Sequence, residues 1–114
     1  MSIQSGRAHA DVIPMQFLVI LRVKPGIPNE QIGSLVKPEA QKVWEGIKSG
    51  LVRQIWYFSD TEGAIGGAIG IGEAADEQEV QRFIEQLPMV QGDVLAVEVM
   101  PLQPYIGLES LFAT

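Results

Sequence analysis

A run of ten residues without a single charge, GAIGGAIGIG from Gly63 to Gly72, limits what this chain can fold into more than any other stretch. With the two-residue period of a strand, Ile65, Gly67, Ile69 and Ile71 share one side, and Ala64, Gly66, Ala68, Gly70 and Gly72 share the other. One side is greasy and the other is nearly bare. Glycine weakens a strand, so the run belongs in the middle of a sheet covered on both faces, where packing compensates. Bare backbone also admits a close neighbour, either a packed helix or a bound molecule.

The 114 residues suffice for one domain with its own core, and the 46% hydrophobic and 19% charged fractions describe an apolar globular protein. There is no cysteine, hence no disulfide and no thiolate nucleophile. Fourteen acidic against eight basic residues give a net charge of -6, which repels phosphate backbones and anionic membranes. The longest early apolar run, Phe17 to Leu21, is too short to span a bilayer and has no cleavage region of a signal peptide. A cytoplasmic protein that binds neither nucleic acid nor membrane is expected.

Residues 1–14, with the only histidine at His9, show no period and read as a flexible arm. MQFLVILRV, Met15 to Val23, reads as the first strand, with Phe17, Val19, Leu21 and Val23 on one face and Gln16, Leu18, Ile20 and Arg22 on the other. KPGIP then forces a turn. From Asn29 to Gly50 the spacing of Ile32, Leu35, Val36, Ala40, Val43, Trp44 and Ile47 predicts an amphipathic helix, closed by Gly50 and kinked or divided at Pro38. Leu51 to Ser59 is the second strand, and Asp60 to Gly63 turns it into the glycine-rich third. Asp76 and Glu79 resemble a capping box for a second helix with Val80, Phe83, Ile84 and Leu87 inward, stopped by Pro88. Asp93 to Leu102 alternates as a fourth strand. The tail, 105–114, keeps Tyr105, Ile106, Leu108, Leu111 and Phe112 and is too apolar to stand alone, so it is expected to pack on a partner subunit.

The order βαββαβ predicts an α+β, ferredoxin-like domain over 15–104, with a four-stranded antiparallel sheet and both helices on one face. The other face of the sheet is too apolar for water, which points to two sheets meeting in a dimer, a dimeric α/β barrel.

With the strands placed, the chain resembles the muconolactone isomerase family of the dimeric α/β-barrel superfamily. The resemblance is carried by the opening strand ending in Val23 and Lys24, by VRQIW (Val52 to Trp56), and by QLPM (Gln86 to Met89) before an aliphatic last strand holding a glutamate. It implies a metal-free, cofactor-independent proton shift on a small unsaturated lactone acid, in aromatic compound catabolism, between the sheets and under parts of a neighbouring subunit. Such a reaction needs an acid and a base tuned near neutral pH, and a cation for the substrate carboxylate. By resemblance Glu39 matches an acidic position of the family's first helix and Arg53 an arginine near Trp56. The chain departs from the family at Leu18 and Ile20, where polar and basic side chains are expected, and at GAIGG, where a histidine and a tyrosine are expected.

Glu39 falls near the middle of the apolar helix stripe. It is either a base whose carboxyl is raised by burial or a group on the edge of a kinked helix, pointing to solvent. Glu98 and Arg22 share the second sheet face and make either a cavity-lining pair or a structural ion pair. Trp56 and Tyr57 point to opposite faces, so only one of them is expected to reach a pocket; aromatics at such places are commonly core. Lys24 beside its turn reads as solvated. G-x-x-G spacings occur in the glycine run, but without a following helix and a lysine they make no phosphate loop. Two functions remain: an isomerase with Glu39 or Glu98 as base, Arg22 or Arg53 as anion clamp and Trp56 or Tyr57 against the substrate, or a non-catalytic oligomeric module binding a hydrophobic metabolite.

Overall fold

The structure is a computed structural model and describes residues 13–113. Most of the expected arm, His9 included, lies outside the described residues. Strands β1 (Met15–Val23), β2 (Val52–Ser59), β3 (Ile65–Ala74) and β4 (Leu95–Leu102) form one sheet in the order β2-β3-β1-β4, with every neighbouring pair antiparallel. Helices α1 (Asn29–Ser49) and α2 (Glu77–Glu85) follow β1 and β3, a one-turn α3 (Pro88–Gln91) precedes β4, and a 3-10 helix (Ile106–Phe112) ends the chain. This is the ferredoxin-like arrangement expected from the sequence.

Alternation along β1 decides which face is covered. Phe17, Val19 and Leu21 are buried beneath the helices, whereas Leu18 and Ile20 turn to the open face. There they stand opposite Ile71 and Ile69 of β3, and opposite Met100 and Glu98 of β4. The core continues into Val80 and Ile84 of α2, Leu87, Val94 and Leu95. It therefore lies under α2 and α3, toward one half of the sheet.

Local chemistry explains the element ends. Gly50, in the left-handed conformation, closes α1 and donates its N–H to the Ile47 carbonyl at 3.1 Å. Pro38 does not divide α1, which runs unbroken through it. The Asp76 carboxylate accepts the Glu79 N–H at 2.9 Å, and the Glu79 carboxylate reaches back to the Ala75 N–H at 3.1 Å, so the cap is reciprocal but one residue wider than a capping box. Pro88 does not merely stop α2; it starts α3, where its missing N–H costs nothing. In the β2–β3 turn Asp60 accepts the N–H groups of Glu62 and Ala64.

The glycines of β3 are required first by neighbouring backbone. A methyl group on Gly67 would sit 2.0 Å from the Leu21 carbonyl oxygen, and one on Gly70 would sit 3.0 Å from that of Gln54. Replacing Gly67 with alanine is expected to lower stability by at least about 3 kcal/mol, because the obstacle is backbone and cannot swing away. Gly33, inside α1 with open space around it, behaves oppositely: alanine there is expected to add about 1 kcal/mol. Urea unfolding of the two variants beside the parent chain measures both.

Candidate functional site

Helix α1 approaches the rest of the fold along one edge only. At Gly46 a methyl group would lie 2.6 Å from the Phe83 ring and 2.7 Å from Val52, and a Leu35 methyl lies 3.2 Å from the position a β-carbon would take at Gly92. That edge is held down tightly. The neighbouring edge, Val36, Ala40, Trp44 and Ile47, overhangs β2 and β3 without reaching them; Trp44 remains 56% exposed and Val36 47%. Below it β3 offers Gly67 and Ala68, which have almost no side chain to fill the gap. The result is a cavity of about 790 Å3 between α1 and the sheet, within the size range of small-molecule sites.

The cavity is walled mainly by apolar side chains, and the charged residues bordering it among the described residues are Glu39 and Asp60. Glu39 lies between the two edges of α1 and is half-buried, not free in solvent as a kinked helix edge would leave it. Its Oε1 accepts the Met89 N–H at 2.9 Å. That amide is one of the unpaired donors of the first turn of α3, exposed for the purpose by Pro88. Burial raises the Glu39 carboxyl above its ordinary 4.5, and the Met89 hydrogen bond opposes part of that rise. Its Oε2 makes no hydrogen bond among the described residues. Asp60 is held by the hairpin it caps.

Other expected residues are distributed unevenly. Trp56 and Tyr57 both border the cavity, although they alternate along β2. Arg22 and Glu98 are on the opposite, open face of the sheet, paired with each other at 3.2 Å and half-exposed. Arg53 stands 4.0 Å from Glu73, outside the cavity wall. Lys24 is not merely solvated, since it pairs with Asp93. Within one chain the cavity lies on the helical face of the sheet, the face opposite the one on which a pocket between two sheets was expected. Sequence reasoning missed Asp60 and the Met89 amide. The signal for the second was present in Leu87-Pro88, a helix start that leaves the next N–H free.

No helix among the described residues is long and apolar enough to cross a membrane. A βαββαβ sheet with a ligand-sized cavity under its first helix defines a small ferredoxin-like protein. The chain belongs to the muconolactone isomerase family: residues 15–106 match the family described as muconolactone delta-isomerase. No curated protein sequence matches it. Among solved structures it is similar to 5-chloro-2-hydroxyhydroquinone dehydrochlorinase (TftG) from Burkholderia phenoliruptrix AC1100, in complex with 2,5-dihydroxybenzoquinone, at 18% identity and a TM-score of 0.61, covering 78% of this chain and 94% of that one. It is also similar to a dimeric protein of ferredoxin-like fold and unknown function from Bacteroides fragilis NCTC 9343, at 10% identity and a TM-score of 0.50, covering 80% and 96%. At these identities the likeness concerns the fold.

Because the folded chain holds the Glu39 proton more tightly than the unfolded chain, its contribution to stability is full below the unfolded pKa and is lost as pH rises through the raised folded value. Glu39→Gln keeps an oxygen for the Met89 N–H and removes the charge. Its stability relative to the parent is therefore expected to improve from pH 4 to pH 7, as read by thermal unfolding at each pH. An unchanged difference across that range is the contrary result.

Proposed function

We propose that the protein is a cofactor-independent isomerase that moves a proton along an unsaturated lactone or carboxylic acid held in the cavity under α1. The observation that carries this reading is Glu39, a half-buried carboxylate with a raised pKa at the cavity wall, its Oε1 fixed by the Met89 amide and its Oε2 without a hydrogen bond among the described residues. A base with its pKa lifted toward neutrality suits proton abstraction next to a carbonyl.

In the reaction the Glu39 carboxylate takes a proton from the carbon at one end of the allylic system. The electron pair of that C–H bond delocalises onto the carbonyl oxygen as a dienolate. The same carboxyl then returns the proton at the far carbon, so the double bond shifts and no electron or atom is gained or lost. The Tyr57 hydroxyl, on the same cavity wall, serves as the donor for the developing oxyanion, and Trp56 packs against the substrate. Glu98 is the competing base. It would act in a space between two sheets, where a homodimer would form over Leu18, Ile20 and Ile71, with Arg22 beside it. Under that arrangement the apolar tail, with Phe112 84% exposed, packs on the partner subunit.

Membership of the family supports an isomerase, and the apolar cavity wall favours a second reading, a non-catalytic oligomeric module that binds a hydrophobic metabolite. Turnover of muconolactone and of neutral unsaturated lactones, followed optically over a pH series, separates them. Glu39→Gln is expected to lower kcat by roughly 100-fold or more and Tyr57→Phe by roughly 10- to 100-fold, with Glu98→Gln near the parent. Activity lost in Glu98→Gln but kept in Glu39→Gln would move the base to the open face. No turnover of any lactone, with binding retained, would leave the non-catalytic module.

A further inference from the structure

The cavity carries information about charge and size that the reaction class leaves open. Its volume of about 790 Å3 is far more than a single five-membered ring with a short side arm fills; spaces of roughly 300–1,000 Å3 take drug-sized molecules. Its walls are apolar, from Val36, Trp44 and Ile47 above to Ala68 below. The charged residues bordering it among the described residues are both acidic, Glu39 and Asp60. The two arginines expected to hold an anion are engaged elsewhere, Arg22 with Glu98 on the open face and Arg53 beside Glu73. A carboxylate entering this space would leave water and meet two like charges, with the side chains of Asn29, Trp56 and Tyr57 on the wall but no cation there among the described residues.

We propose that the cavity selects an uncharged, mostly hydrocarbon molecule of about two or three rings carrying one carbonyl oxygen for Tyr57 or hydroxyl for Glu39, and discriminates against the same molecule bearing a carboxylate. The selection combines shape with electrostatics. Flat rings fit between α1 and the bare backbone of β3, where Gly67 and Ala68 let the ligand lie against the sheet. The Glu39 carboxylate accepts from a hydroxyl, the Tyr57 hydroxyl donates to a carbonyl, and the net charge of -6 further disfavours anions. This inference rests on the cavity of the proposed function being the site, and narrows the lactone or carboxylic acid of that reading to the uncharged lactone.

The test is calorimetric titration of the full chain at pH 7.5 with 4-(2-naphthyl)-2(5H)-furanone and with the same compound bearing a carboxylate on the distal ring. The neutral compound is expected to bind at least tenfold more tightly. Glu39→Gln, which removes one of the two like charges, is expected to narrow the gap. Ala40→Phe, placed on the exposed overhanging edge where it occupies the cavity without entering the core, is expected to abolish binding at an unchanged Tm. Equal or tighter binding of the carboxylate would overturn the proposal and require a cation from the arm or a second copy. So would a failure of both compounds to bind. Binding that emerges only when Leu111 and Phe112 are both changed to serine would assign the cavity to the tail of another copy, and would also overturn it. Because binding is read without turnover, failure of the isomerase reading leaves this result interpretable.

Discussion

The structure depends on the shortage of side chains along β3. At Gly67 and Gly70 the carbonyl oxygens of Leu21 and Gln54 come so near that a β-carbon cannot be accommodated without displacing backbone. A strand built this way joins β1 to β2 closely but presents little substance toward the helices. Helix α1 cannot pack a bulky stripe onto a surface that offers nothing to interdigitate with, since close packing needs knobs on both sides. The helix is instead seated at Gly46 against Phe83 and Val52, leaving Val36, Trp44 and Ile47 over a gap. One constraint thus produces both the tight sheet and the open cavity.

This division explains why the two helices look alike in sequence yet behave differently. Helix α2 buries Val80 and Ile84 completely enough to form the core with Phe17 and Val94. Helix α1, with a broader apolar stripe, buries only its inner edge. Area left uncovered at Trp44 and Ile47 forgoes roughly 25 cal/mol for each Å2 it could have hidden, an arrangement that makes sense where something else is to cover it. Glu39 stands where the packed edge meets the open one. It is buried enough to resist ionisation and open enough to meet a ligand, a position that a fully packed or fully solvated helix would not provide.

The fold was legible because its signals are local and periodic. The alternation of Phe17, Val19 and Leu21, the three-four spacing of α1, the glycine at Gly50 and the Asp76 cap each specify an element or its end, and the βαββαβ order leaves little freedom for the sheet. The site was legible only in part. Glu39 stood out as a charge inside an apolar stripe, but whether it met solvent or a cavity depended on how α1 sits on β3, a matter of tertiary distance. Arg22 and Glu98 share a sheet face by simple alternation, and they do pair; nothing local says that the cavity lies on the other face. Trp56 and Tyr57 border the cavity together although they pair in regular register with Ile69 and Ala68, on alternate faces of the edge strand β2. The Met89 amide became a partner for Glu39 through a contact fifty residues apart in sequence.

The central claim is that Glu39 faces a low-polarity cavity able to hold a ligand, and it is tested most directly by 13C NMR titration of the Glu39 side-chain carboxyl, with and without a neutral aromatic lactone. The expected result is a midpoint above 4.5 in the free protein that moves further upward when the lactone displaces water from around the carboxyl. A midpoint at the ordinary glutamate value, unmoved by the ligand, would contradict it.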